Sequence, residues 1–577
     1  MTMLTKWGAT LDREHPLPEY PRPQLRRESF YNLNGVWDYA VTPSGDEPEV
    51  WDGEIVVPFS PEAPLSGAAR GPAKDEYLHY RRGFTLPEGF QKSRVLLHFG
   101  AVDQIAEVFV NGVSAAKHSG GYWPFSADIT SLLREGENIL RVTVRDNADD
   151  PTFAYGKQRY KRGGMWYTAQ SGIWQTVWLE SVPEVYVKSL RITPEFDEAR
   201  VRIELETALE SSAAITCDVH AADGSFVAGS WAKGGVCVVP LPGFRAWTPD
   251  DPYLYTLDIT CGEDRVESYF AMRKFSYVEL GGHKVFGLNN APLFHNGLLD
   301  QGYYPDGLLT PPSDEAMVND IETMKRCGFN MLRKHIKIEP LRWYYHCDQL
   351  GMIVWQDMVS GGQPYSFLHV SALPTLGKVD LPDQDAKPYG RSGVLSRARF
   401  RREMADTVRL LYNCPCIALW TVFNEGWGQF DALDMANELK KLDPTRFIDH
   451  ASGWQDQGYE EMKSRHIYFR PVKLKNDGRA LALTEYGGYI LAVDGHRWTD
   501  KAFGYRICRD SAALAHDYEK LMLGQVLPHI RKEGLTAAVY TQITDVEEEL
   551  NGLMTYDREV LKIPEETLRE INKQLKF

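Results

Sequence analysis

Cys416-Ile417-Ala418-Leu419-Trp420-Thr421-Val422-Phe423-Asn424-Glu425 is an unbroken apolar run that stops at an amide and a carboxylate. Its β-branched and aromatic residues, without polar alternation, predict a strand buried on both faces, as in a parallel sheet. A carboxylate at the C-terminal end of such a strand falls at the mouth of a barrel, where that fold places its chemistry. Sixty residues on, Ala480-Leu481-Ala482-Leu483-Thr484-Glu485-Tyr486-Gly487 repeats the pattern. Two buried strands that each end in Glu predict two carboxylates facing one pocket.

The neighbouring sequence supplies the rest of such a barrel. Ser313 is a helix N-cap. Met317, Val318, Ile321 and Met324 mark the buried face of that helix, and Gly328 ends it. Strand Phe329-Asn330-Met331-Leu332-Arg333 follows, then a helix from Leu341 to Leu350 stopped by Gly351, then strand Met352-Ile353-Val354-Trp355. A long loop and a helix from Ser396 to Tyr412 lead into the 416–423 strand. Further strands are expected near 446–449, 465–469, 479–484 and 536–541, with a first strand near 292–297. Eight strands with intervening helices or short turns predict a TIM (β/α)8 barrel over 277–577, with the two Glu-bearing strands fourth and seventh.

Upstream, the period changes from helical to alternating. Leu140, Val142 and Val144 alternate with Arg141, Thr143 and Arg145, the pattern of a one-sided antiparallel strand. Val108-Phe109-Val110 runs into Asn111-Gly112, a hairpin turn signal. Residues 1–182 are read as a jelly-roll β-sandwich. Shorter strands, such as Arg200-Val201-Arg202-Ile203-Glu204-Leu205 and Leu254-Tyr255-Thr256-Leu257-Asp258-Ile259, predict an immunoglobulin-like β-sandwich over 183–276.

Composition narrows the function. A net charge of −15 without a basic face argues against nucleic acid as a partner. The N-terminus, Met1 to Trp7, lacks the apolar core of a signal peptide, and no stretch is apolar for long enough to span a bilayer. No membrane partner is expected. The eight cysteines are scattered, and only Cys414 and Cys416 are close, so they are read as reduced core thiols of a cytoplasmic protein.

Two carboxyl groups roughly 5–5.5 Å apart are what hydrolysis of a glycosidic bond with retention requires: one protonates the leaving oxygen, the other attacks the anomeric carbon. The alternative is a pair of barrel-top carboxylates bridged to Arg or Lys. The motifs Asn424-Glu425 and Thr484-Glu485-Tyr486-Gly487, with the order of the three domains, resemble glycoside hydrolase family 2 over essentially the whole chain. That family includes β-galactosidases, β-glucuronidases and β-mannosidases. The resemblance makes Glu425 the general acid/base and Glu485 the nucleophile, and implies a retaining exo-β-glycosidase acting on a carbohydrate substrate. On this resemblance the barrel is expected to be the last domain, without the further C-terminal domains of the largest members.

Asn424 is expected to hydrogen-bond the sugar 2-hydroxyl. His335 and Asp357, after the second and third strands, are expected to reach the pocket: His335 to bind a hydroxyl, Asp357 to accept from two. Arg333 is placed beside Glu485 to keep it ionised. His466 and Tyr468 end the sixth strand, and by family likeness Tyr468 donates to the nucleophile. Trp427 and Trp498 are candidate walls of the sugar site, and Gln542 and Asp545 further candidates. Each has a structural reading beside the functional one: a satisfied core histidine or tyrosine, a buried ion pair, ordinary packing. The run Glu547-Glu548-Glu549 is read as a solvated acidic face.

Two other classes compete with this reading. A non-catalytic carbohydrate-binding protein has no need of both carboxylates. A metal-dependent hydrolase barrel needs a histidine cluster, and no His-x-His follows the first strand. No cofactor is required on this reading and no metal site is assigned, although some β-galactosidases of the family use magnesium. The Asn-x-Lys motif with which the family's β-glucuronidases grip a carboxylate has no clear match after Glu485, though a basic group such as Lys334 could substitute. A β-galactoside is therefore the first substrate choice, with other neutral β-glycosides and β-glucuronides behind it. Many members form homo-oligomers, but the sequence does not set an oligomeric state. The first domain is read as architectural, with an insertion at the pocket rim as the alternative.

Overall fold

The structure, a computed structural model, describes residues 3–209, 214–376 and 380–577. Met1 and Thr2 of the N-terminal stretch, and three residues of the long loop before the helix at 394, lie outside them. Two β-sandwiches precede a parallel barrel.

In the first sandwich a six-stranded sheet runs in the order Gly53–Val57, Gly35–Thr42, Tyr77–Thr85, Glu137–Arg145, Ile105–Val110, Val113–Ser119. It faces a four-stranded sheet of Tyr31–Asn32, Val177–Val182, Arg94–Phe99 and Phe125–Asp128. Leu140, Val142 and Val144 are buried in one core with Trp37, Tyr80 and Leu179, as the alternation predicts. Asn111 and Gly112 both take positive φ (+52° and +82°), the backbone that a tight hairpin with strand-matching twist demands. The second sandwich packs Val187–Glu195, Arg200–Thr207 and Val236–Pro240 against Phe226–Trp231, Ile215–His220, Tyr255–Cys261 and Asp264–Phe270.

A hairpin that the sequence reading missed, Phe275–Leu280 with His283–Leu288, comes next. Phe286 from it stacks on Phe447 (centroids 4.3 Å apart) and meets Trp355 edge-on, so the hairpin plugs the floor of the barrel.

The barrel strands are β1 (His295–Asp300), β2 (Met331–Lys334), β3 (Ile353–Asp357), β4 (Ile417–Thr421), β5 (Phe447–Asp449), β6 (Met462–Ile467), β7 (Ala480–Gly487) and β8 (Leu535–Thr541). They are joined in the parallel order β5-β4-β3-β2-β1-β8-β7-β6. Between β5 and β6, Ser464 Oγ donates to Asp449 Oδ1 (2.9 Å) and to Ala451 O (3.0 Å) where the ladder leaves off. β4 and β7 are buried at every position, which is why they read as continuous apolar runs. Helix α1 (Asp314–Arg326) starts on Ser313, whose side chain accepts from Ala316 N; helix α2 (Leu341–Leu350) ends on Gly351 at φ +72°. First-strand residues begin three positions later than expected, at His295. No helix among the described residues is long and apolar enough to cross a membrane.

Candidate active site

The C-terminal ends of β2, β3 and β7 and the turn after β4 converge on a hub, the guanidinium of Arg333. It is wholly buried, and its length reaches three elements besides its own strand. Nε and Nη2 donate to Asp357 Oδ1 and Oδ2 (3.0 Å each). Nη2 also donates to Asn424 Oδ1 (2.8 Å), and Nη1 to Glu485 Oε1 (3.0 Å) and Thr484 O (3.1 Å). A buried guanidinium is tolerable only when its donors and charge are matched in this way.

Glu485 stands on β7. Burial pushes its carboxyl up, but the fields of His466, Arg333 and His335 and the Tyr468 hydroxyl bring it down to about 2. Tyr468 OH donates to Oε2 at 2.5 Å. Gly487 lets β7 pass Tyr540, because a Cβ there would sit 2.2 Å from that ring. Glu485 is thus anionic, oriented and dry, the state of a poised nucleophile.

Glu425 is held differently. The chain leaves β4 after Thr421 and stays buried through Phe423. Glu425 then takes φ +53°, fixed by its N–H to Ser452 O (2.9 Å) and by Trp454 Nε1 donating to its carbonyl (2.9 Å). Such a conformation in a non-glycine residue is uncommon outside functional turns. Its side chain is 24% exposed, against 6% for Glu485. Its Oε1 lies 2.8 Å from His466 Nδ1, while His466 Nε2 lies 3.2 Å from Ser452 Oγ and 3.6 Å from Glu485 Oε1. One ligand atom from each of Glu425, His466 and Glu485 lies within 4.8 Å of the others. By distance these three could hold a cation. Arg333 already neutralises Glu485, however, and a cation between the carboxylates would take the place of the reacting carbon.

Asn424 is oriented by Arg333: with Oδ1 taken, the amide NH2 is the group left to donate. His335 donates from Nδ1 to Asp357 Oδ2 (2.8 Å), which fixes the tautomer and leaves Nε2 as its free acceptor. Burial holds the ring's pKa below its ordinary value.

Asp357 departs from expectation. Both its oxygens are occupied by Arg333 and His335, so it is the counter-ion of the hub and no holder of sugar hydroxyls. Lys334 is no anion site either, because Asp300 (2.6 Å) and Glu339 (2.8 Å) pair it in the core. Gln542 is spent on Gln301 and Asn551, and Asp545 on Lys562 (2.6 Å).

The run Glu547-Glu548-Glu549 is not a solvated face. Glu547 and Glu549 are 2% and 5% exposed. They take donors from the first sandwich: Thr168 N to Glu547 (2.8 Å), Gly164 N to Glu548 (2.8 Å) and Tyr167 OH to Glu549. The segment 155–168 therefore docks on the barrel mouth, the alternative weighed for the first domain. Trp427 is buried there, meeting Trp166 at 5.1 Å and Tyr155 at 5.7 Å. Trp498 lies under the Arg162 guanidinium (4.3 Å). Tyr505, stacked on Tyr468 at 3.8 Å, was not anticipated. The basic and aromatic run Lys157-Gln158-Arg159-Tyr160-Lys161-Arg162 was the available signal for the docking segment.

Comparison with known proteins gives the family. The model of the sugar binding domain of glycosyl hydrolases family 2 matches residues 64–183, a second family 2 model matches 185–273, and the family 2 TIM barrel model matches 311–474. The chain is 23% identical over 502 residues to a β-galactosidase of Halalkalibacterium halodurans, covering 79% of this chain and 45% of that one. It thus spans about half the length of that relative. It is 22% identical over 535 residues to a β-glucuronidase of Paenibacillus borealis, covering 82% of this chain and 85% of that one. A solved β-glucuronidase from an uncultured Clostridium sp. superposes with a TM-score of 0.74 at 18% identity, covering 95% and 98% of the two chains.

Proposed function

The chain belongs to glycoside hydrolase family 2, and from that premise we propose that it is a retaining exo-β-glycosidase acting through a covalent glycosyl-enzyme. The observation that carries the reading is the asymmetry of two carboxylates whose nearest oxygens lie within 4.8 Å. That separation suits direct attack and leaves no room for the water an inverting pair must hold between its carboxyl groups. Glu485, anionic under Arg333, attacks the anomeric carbon while Glu425 gives its proton to the leaving oxygen. The glycosidic bond's electrons leave with that oxygen. Glu425, now a carboxylate, takes a proton from water, which attacks the same carbon and frees Glu485. Asn424 donates to the 2-hydroxyl, a bond that tightens as the ring becomes oxocarbenium-like. His335 Nε2 accepts from another hydroxyl. No metal enters these steps, so a chelator leaves the rate unchanged.

The sugar we propose is a β-galactoside. A β-glucuronide is the second reading, and Lys157 favours it. That half-buried ammonium has no ion pair among the described residues. It lies over the Trp166 ring (5.6 Å), on the segment that docks at the barrel mouth, and its charge acts on both His335 and Glu549. A panel of nitrophenyl β-glycosides decides: galactoside turnover with no glucuronide turnover supports the first, and the reverse supports the second. Glu425→Ala tests the roles. It should accumulate glycosyl-enzyme from an activated aryl glycoside, and azide should restore turnover as the β-azide. An α-azide would exchange the two roles.

A further inference from the structure

An aromatic series leads out of the site on the leaving-group side. Tyr468, bonded to the nucleophile, is covered by Tyr505, whose ring is nearly parallel (16°) with centroids 3.8 Å apart. Phe469 meets Tyr505 edge-on at 5.0 Å and is 71% exposed. Single exposed apolar side chains are common, and what sets Phe469 apart is its ring contact with a tyrosine that itself covers the partner of Glu485.

The support beneath it is built. Tyr505 N donates to Gly488 O (3.1 Å), and residues 489–490 pair in parallel with 506–507. Gly488 takes φ +69°, and a Cβ there would lie 2.4 Å from the Tyr505 ring. The residue three past the nucleophile thus has no side chain so that this tyrosine can lie against Tyr468. Phe503, bonded through its N–H to Glu548 O (2.7 Å), flanks Tyr505 at 6.3 Å. The series runs from Tyr468, bonded to Glu485, through Tyr505 to Phe469 at its exposed end. In an exo-acting site the glycone lies at the buried end and the leaving group departs toward solvent.

We propose that Phe469, supported by Tyr505, is the platform of a subsite for a planar apolar aglycone. The inference rests on the glycosidase reading above. An offset or edge contact with an aromatic aglycone suits a ring with no polar tip. A second sugar would instead need hydrogen-bond partners for its hydroxyls.

The test uses the full chain and a probe that requires no turnover. Free 4-methylumbelliferone should bind the wild type, and Phe469→Ala should weaken that binding roughly tenfold, while Phe469→Trp should keep it. Among glycosides of one sugar, Phe469→Ala should lower kcat/KM about tenfold for the 4-methylumbelliferyl substrate and leave the methyl glycoside unchanged. Failure of the wild type to bind the free aglycone overturns the platform, as does an equal loss on methyl and aryl glycosides, or a loss on a disaccharide matching that on the aryl substrate. A chain that binds the aglycone yet turns over no glycoside keeps the platform and overturns the glycosidase reading.

Discussion

Glu485 at the barrel mouth and Asp103 in the first sandwich are both almost wholly buried, 5% and 1% exposed, yet they are driven in opposite directions. Burial raises both. Glu485 faces Arg333 and the imidazoles of His466 and His335, and falls to about 2. Asp103 receives Gln158 Nε2 at 2.9 Å, and its Oδ1 has no hydrogen-bond partner among the described residues; burial carries it up to about 7. Nearby Asp146, with both oxygens unpartnered, is raised too, and the charge of Asp103 adds to its rise. Burial alone makes a weak acid. A buried carboxylate stays ionised only when the fold sets compensating groups against it, and around Glu485 these are His466 on β6 and Arg333 on β2.

The comparison breaks most visibly in rate. Glu485→Gln should lose on the order of 10⁴-fold or more in kcat, because covalent attack cannot begin. Asp103→Asn, equally buried, should leave kcat within about twofold of wild type. Steady-state kinetics on an activated aryl glycoside measures both, and a comparable loss in the two variants would erase the distinction.

Arg333→Gln sharpens it, by asking whether the cation is the cause. Without the guanidinium, Glu485 should behave more like Asp103. The acid limb of kcat/KM should move up in pH, and kcat should fall by about 10²- to 10³-fold. An acid limb that stays in place would show that the imidazoles suffice.

The smallest effect is on stability, where the signs oppose. Glu485 has a folded value below its ordinary 4.5, so its contribution is present above that pH and is lost as pH falls toward 2. Asp103 has a folded value above its ordinary 3.8, so its contribution is present below that pH and is lost as pH rises toward 7. Asp103→Asn should therefore gain in Tm relative to wild type as pH rises from 4 to 7. A constant difference in Tm across that range would contradict the assignment.

Much of this was legible because it is local. Asn424-Glu425 and Thr484-Glu485 announce themselves, since each closes a buried apolar run that holds no other amide or carboxylate. The hairpin turn at Asn111-Gly112 and the cap at Ser313 likewise depend on a few adjacent residues. What escaped depends on partners far along the chain. The occupation of Asp357 is decided by Arg333 on another strand, although both residues were singled out. The acidic run at 547–549 reads as solvated until Tyr167 and Thr168, some 380 positions earlier, bring their donors to it. The stacking of Tyr505 on Tyr468 needs a glycine at 488 and a returning loop, which periodicity does not encode.

The claim that Glu485 is the nucleophile is tested most directly by trapping. A 2-fluoro β-glycoside with a good leaving group should inactivate the protein with one sugar bound per chain. Peptide mapping by mass spectrometry should place that sugar on Glu485. A label on Glu425 or on any other residue would contradict the account.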